Sequence, residues 1–233
     1  MNPRPSLRHR RLILRAVGML GAQTFLSSCG GKETTGSARD DVSSPDLRGC
    51  TLTPPQIEGP YYLPLNRPQV EMTSGQLGTR LDLHLTIVNS SCEPINDARV
   101  EVWHANAHGI YSGFAGQAED TRGQDFLRGE ALSDARGQVR LRSLYPGWYP
   151  GRAVHVHFKV SVDQSLRLTS QFYLPDEVSL EVYRGGLYQA RGAQDTSLSR
   201  DHFLQELGGD HASLIAEVTP DQTGYIASLK ITV

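Results

Sequence analysis

The sequence predicts an all-β fold, an antiparallel β-sandwich with short helical and loop insertions. Two observations carry the expectation. Apolar and polar residues alternate one by one in several separate runs, which is the period of a half-buried strand and not of a helix. Clusters of Gly, Pro, Asn and Asp punctuate those runs, as they do where a chain turns from strand to strand.

The first run sets Leu81, Leu83, Leu85 and Ile87 against Asp82, His84 and Thr86 and stops at Asn89-Ser90. Ala98, Val100 and Val102 repeat the pattern against Arg99, Glu101 and Trp103, and Val139 and Leu141 do so after a turn at 134–137. Next, Val154, Val156, Phe158, Val160 and Val162 fall on one side of a strand and His155, His157 and Lys159 on the other. The apolar side is expected on the core, so the two histidines point together away from it. Leu166, Leu168, Phe172 and Leu174 lie opposite Arg167, Thr169, Gln171 and Tyr173, and residues 225–233 form a last alternating run. Between 175 and 220 the pattern is weak, with a short helix expected near 199–207.

Everything before residue 50 reads differently. Residues 1–28 are expected to be an export signal. Arg4, Arg8, Arg10, Arg11 and Arg15 come with no acid, and the apolar segment at 16–26 is too short for a membrane span. Arg10-Arg11-Leu12-Ile13-Leu14-Arg15 looks like a twin-arginine signal. Leu26-Ser27-Ser28-Cys29 resembles a bacterial lipobox, which would leave Cys29 as a lipid-bearing N-terminus in the periplasm or cell envelope. A plain secretory peptide with an incidental cysteine is the other reading. Residues 29–49 have almost nothing to bury and read as a flexible tether. Residues 50–233 then form one domain of ordinary size.

The signal takes five arginines and no acid with it, so the formal charge moves from −2 to −7. A mildly acidic chain argues against a nucleic-acid partner and against a basic membrane-binding face. The lipid at Cys29 is the one membrane contact expected. With Cys29 set aside, Cys50 and Cys92 remain, and in an oxidising compartment they are expected to pair; two buried free thiols are the alternative.

The chemistry concentrates in residues 146–162, PGWYPGRAVHVHFKVSV. Two imidazoles at i and i+2 on an extended backbone can ligate one metal ion, and Tyr149 lies just upstream. Alone, the pair is better read as a sheet face that happens to carry histidines, because motif matches this short are common by chance. Three further stretches tip the balance: Glu58-Gly59-Pro60-Tyr61-Tyr62-Leu63-Pro64, Trp103-His104-Ala105-Asn106-Ala107-His108-Gly109-Ile110-Tyr111-Ser112, and Ser170-Gln171-Phe172-Tyr173-Leu174-Pro175. Together the four resemble the intradiol ring-cleavage dioxygenases, the family of catechol and protocatechuate dioxygenases. The W-x-A-N-A-x-G-x-Y run and P-G-x-Y-P followed by R-x-x-H-x-H are specific in combination.

The resemblance implies a mononuclear non-heme Fe(III) held by Tyr111, Tyr149, His155 and His157. Tyr149 and His157 would be axial, Tyr111 and His155 equatorial. Arg152 falls at the family's arginine that steadies the reacting ring, and Gln171 at the glutamine behind it. The implied partners are a small catecholic substrate and O2, and the implied product is a cis,cis-muconate type diacid. The donor chemistry agrees, since phenolate oxygen is a hard anionic ligand that suits Fe(III) and imidazole completes the set. His104 and His108 lie inside the first motif where no family ligand falls, and are expected behind the ligands or at the surface. His84, His202 and His211 are expected at the surface, and Trp103 in a wall or the core. The long helical N-terminal region of the catechol-cleaving branch is missing, so its mode of dimerisation does not carry over and a homo-oligomer is left open. A different class of function, a non-catalytic lipid-anchored binding module on the same scaffold, is the alternative, because fold does not imply function.

Overall fold

The computed structural model describes residues 50–233. The expected export signal at 1–28, Cys29 and the tether through 49 lie outside the described residues. Among the described residues, eight strands form two four-stranded sheets. One sheet is built from β1 (Arg80–Val88), β4 (Gln138–Leu144), β7 (Glu217–Asp221) and β8 (Gly224–Thr232), in the order β4-β1-β8-β7. The other is built from β2 (Arg99–Trp103), β3 (Arg128–Leu132), β5 (His155–Val162) and β6 (Ser165–Tyr173), in the order β3-β2-β5-β6. The sandwich is therefore the one expected, with one refinement: β1 and β8 run parallel, Leu81 opposite Tyr225 and Ile87 opposite Ile231. These are the first and last strands of the fold, so no hairpin dictates their relative direction.

The alternating apolar sides meet between the sheets. Leu81, Leu83, Leu85 and Ile87 of β1 and Ala227, Leu229 and Ile231 of β8 face Val100 and Val102 of β2, Val156, Phe158 and Val160 of β5, and Phe172 of β6 in one cluster. Each Val, Leu, Ile or Phe side chain among them contributes roughly 1.5–3 kcal/mol by leaving water. Residues 69–71 close one side of the sandwich, Gln69 bridging to Glu130 of β3 and Glu71 to Arg142 of β4.

Strand β5 departs from the half-buried pattern. Its polar side is covered too, and His155, His157 and Lys159 are all buried. The loop after β2, the turn before β5 and the segment from residue 54 fold over that side, so the alternation marks two buried faces of different chemistry. Lys159 keeps its charge company there, pairing with Glu58 at 2.5 Å and lying 3.6 Å from the centre of the Tyr62 ring. In β6, Leu166 was expected on the core side but is 57% exposed. A register shift beside Val160 and Ser161 pairs Leu168 with Val160 but Leu166 with Ser161, and so re-aims the first residues of the strand.

The weakly patterned stretch holds helix α1 (Asp176–Val182), helix α2 (His202–Gln205) within the expected range, and 3-10 turns at Gly186–Arg191, Leu198–Arg200 and Gly208–Leu214. Cys50 and Cys92 are joined by a disulfide. It ties the head of the 50–59 segment to the turn after β1. That segment is pinned further by Thr53 to Thr232 and by Gln56 to Thr169 of β6, both backbone bonds of 3.0 Å.

Candidate metal centre

One cross-strand row underlies the site. Register places Arg128 of β3 opposite Trp103 of β2, Trp103 opposite His157 of β5, and His157 opposite Gln171 of β6, all four buried. Trp103 stacks on His157, ring centres 5.1 Å apart and planes within 7°. His155, two residues earlier on the same face, brings the second imidazole alongside.

The tyrosines arrive on two interlocked loops. Asn106 turns the first loop: its Oδ1 accepts from the backbone N–H of His108 and Ile110, and its own N–H donates to Ile110 O at 2.8 Å. Tyr111 follows directly and is buried, with Tyr61 stacked on its ring at 4.6 Å. Gly147 N–H donates to Asn106 O at 2.9 Å, fastening the second loop to the first. A Cβ at Gly147 would sit 2.2 Å from Ala107 O, and one at Gly109, where φ is +75°, would sit 2.3 Å from Trp148 O. Glycine is thus required at both positions for the loops to touch, which gives these letters of the two motifs a steric reason. Tyr149 then enters from the second loop, half-buried.

Four donor atoms converge. Tyr149 Oη lies 2.9 Å from His155 Nε2, Tyr111 Oη lies 3.5 Å from both Tyr149 Oη and His155 Nε2, and the two Nε2 atoms are 3.2 Å apart. Donors about 2.0–2.2 Å from a shared ion and at roughly 90–120° to one another are separated by about 2.8–3.8 Å. The residues present therefore fit a single metal ion. His155 Nδ1 donates to Ala153 O at 2.6 Å, so its Nε2 carries the lone pair. His157 Nδ1 is buried with no hydrogen-bond partner among the described residues. No group of three or more His, Cys, Asp or Glu among the described residues could hold a metal, so an ion here needs the tyrosines.

The electrostatics suit that role. Burial, then the nearby Arg152 charge, pushes His155 down to about 3, and burial, then His155, holds His157 well below the usual histidine range. Both rings are neutral at physiological pH. Burial raises both phenols, Tyr111 strongly with Tyr149 adding to it, so without a cation both keep their protons.

Beside the donors sits Arg152. Its Nε donates to Asp201 Oδ2 at 2.8 Å, and its Nη2 donates to Gln171 Oε1 at 2.7 Å and Tyr173 Oη at 3.2 Å. Gln171, fully buried, also donates from Nε2 to Ile57 O at 3.1 Å. The structure thus joins Arg152 and Gln171 to each other and to the four donors' surroundings. Asp201, by contrast, gave no signal in the sequence: it lies in the weakly patterned stretch, far along the chain from its partner. Another buried cation, Arg128, is held by Ser112 Oγ, Ser112 O and Tyr61 O, and burial brings its pKa down to about 10. His104 belongs to neither the donor set nor the surface. It is buried, with Nδ1 2.8 Å from Ala105 O and Nε2 2.6 Å from Ser143 Oγ of β4, and so links the two sheets. His108 and His202 are exposed, and His84 and His211 are half-exposed.

A family profile described as Dioxygenase matches residues 57–184. Catechol 1,2-dioxygenase of Acinetobacter baylyi is 34% identical over 157 residues, which is 57% of this chain and 50% of that protein. The protocatechuate 3,4-dioxygenase beta chain of Burkholderia cepacia is 30% identical over 136 residues, 53% of this chain and 57% of that one. The chain spans about half the length of the curated relatives it matches. Among solved structures, the intradiol ring-cleavage dioxygenase from Tetranychus urticae superposes with a TM-score of 0.73 over 78% of this chain and 94% of that one, at 24% identity, a likeness of fold. Since the matched stretch takes in both loops, both histidines and the strand that carries Gln171, and more than half of the chain with them, the chain belongs to the intradiol dioxygenase family.

Proposed function

We propose that the protein uses a mononuclear ferric ion to cleave a catecholic ring with O2 between its two hydroxylated carbons, giving a cis,cis-muconate type diacid. The convergence of two phenol oxygens and two imidazole nitrogens is the observation that carries this reading. Tyr111, Tyr149, His155 and His157 are the proposed ligands. The bound ion would draw electron density from a chelated catechol and open the ring to O2. Tyr149 is suited to give up its place to substrate. It sits in a turn and is half-exposed, so its side chain can swing without breaking a ladder, and its Oη can take a proton from a catechol hydroxyl. Arg152 is the proposed stabiliser of negative charge on the ring oxygen, because a guanidinium stays charged even when buried. Gln171 holds it there. Catechol, protocatechuate and hydroxyquinol offered to the iron-loaded chain in an oxygen-uptake assay test the reading. Uptake with at least one, lost in the iron-free chain, is expected; no uptake from fully iron-loaded protein contradicts it.

The export signal at 1–28 and the lipid at Cys29 are also proposed, on the motifs alone, and put the domain at 50–233 in the periplasm or cell envelope. A Cys29→Ser chain is expected to leave the membrane fraction; equal membrane association of both chains argues against the anchor.

A further inference from the structure

We propose that Asp201 is a positioning residue, which through Arg152 Nε turns the guanidinium so that Nη1 is the group offered to the negative charge on the reacting ring. The inference rests on the catalytic reading above. A guanidinium has five N–H donors, one on Nε and two on each Nη. Asp201 takes the one on Nε at 2.8 Å, and Gln171 Oε1 and Tyr173 Oη take Nη2 at 2.7 and 3.2 Å. Nη1 makes no hydrogen bond among the described residues. The Phe203 ring lies against the guanidinium, 4.6 Å from Cζ, which fixes its plane as the hydrogen bonds fix its rotation.

The clamp is closed on itself. Tyr173 Oη donates to Gln56 Oε1 at 2.9 Å, and Gln56 Nε2 donates to Phe203 O at 2.9 Å. Asp201 is held on both oxygens: Oδ2 also accepts from Ala153 N–H at 2.8 Å, and Oδ1 accepts from Leu204 N–H at 3.1 Å and lies 3.3 Å from Tyr173 Oη, whose single proton goes to the nearer Gln56 Oε1. Capping α2 needs only the bond to Leu204. The other oxygen holds Arg152 Nε and Ala153 N–H together.

Stability alone does not account for the pair. The Asp201 side chain has no exposure and that of Arg152 is 12% exposed, and a buried ion pair of this kind roughly breaks even against apolar side chains of the same volume. What an apolar pair could not supply is direction. The family match ends at residue 184, so Asp201 and Phe203 come from outside it, and the setting of Arg152 is a contribution of the later segment.

The test uses the full chain and its Asp201→Asn variant, which keeps the shape and removes the charge. In the metal-free proteins, NMR follows solvent exchange of the Arg152 Nε proton. In the iron-loaded proteins, iron content, the tyrosinate-to-iron colour, kcat and KM are measured, alone and in an Arg152→Lys background. We expect the Nε proton of Arg152 in the unmutated chain to exchange at least about tenfold more slowly than that of the exposed Arg167, and Asp201→Asn to abolish the difference. Iron content and colour are expected to stay unchanged while kcat falls about 10–100-fold with KM within about threefold. In the Arg152→Lys background the same change is expected to cost less than about twofold. An unprotected Nε proton in the unmutated chain overturns the proposal whether or not the variant folds. So does an undiminished loss of kcat in the Arg152→Lys background, or iron lost in step with activity. A colourless, inactive unmutated protein would instead sink the catalytic reading, and the exchange rates would still decide whether the clamp exists.

Discussion

His104 shows how burial writes a pH dependence into one side chain. Burial lowers its pKa to about 4, partly offset by the bond to Ala105 O, whereas in the unfolded chain it titrates near the ordinary value of 6.5. Between those values the unfolded state binds the extra proton, so stability falls as pH drops from about 6.5 to about 4, by about 3 kcal/mol for this group. Denaturant unfolding at pH 7 and pH 4.5 is expected to show a smaller acid loss for His104→Gln than for the unmutated chain; equal losses would contradict it. At this scale the sequence was legible where a motif fixed the spacing. Tyr111, Tyr149, His155 and His157 sit in recognisable runs, and the structure brings their polar atoms together. Asp201 was not legible, because its partner is reached only through tertiary packing. Of the two places expected for His104, behind the ligands or at the surface, the structure gives the buried one, and its second partner, Ser143 of the other sheet, could not be read from spacing.

Among the elements, the loop after β2 does more than connect strands. Asn106 replaces backbone partners for two N–H groups and so sets the turn that delivers Tyr111. Asn106→Ala would leave those donors unpaired, at a cost of about 1–3 kcal/mol each where they are buried. The expected outcome is a protein less stable by about 2 kcal/mol or more that binds iron at least about tenfold more weakly. Iron affinity unchanged in a destabilised variant would mean the turn does not place Tyr111. Six of the eight strands could be read from alternation. Strand β3 hid because Arg128 and Gly129 are both buried at its start, and a Cβ at Gly129 would lie 2.8 Å from Met72 Sδ. Strand β7 hid because it is a short edge strand with Pro220 and flanking acids, which blunt an exposed edge but erase the pattern.

For the molecule as a whole, the site depends on the first residues of the described chain. The 50–59 segment supplies Gln56 and Ile57 O to the Arg152 and Gln171 network, and the disulfide at Cys50 fixes the start of that segment. Closing a loop of 42 residues stabilises the fold by about 4 kcal/mol on a chain-entropy estimate. A Cys50→Ser, Cys92→Ser chain is expected to lose about that much in denaturant unfolding, and a midpoint unchanged by reduction would contradict it. The central claim is that two phenols and two imidazoles hold one ferric ion. Metal analysis and the visible spectrum of the same purified sample, taken for the unmutated chain and for Tyr149→Phe, test it most directly. One iron per chain with a red-brown tyrosinate band that shifts and weakens in Tyr149→Phe is the predicted result; a colourless protein that takes up no iron on reconstitution, or a band indifferent to Tyr149, would contradict it.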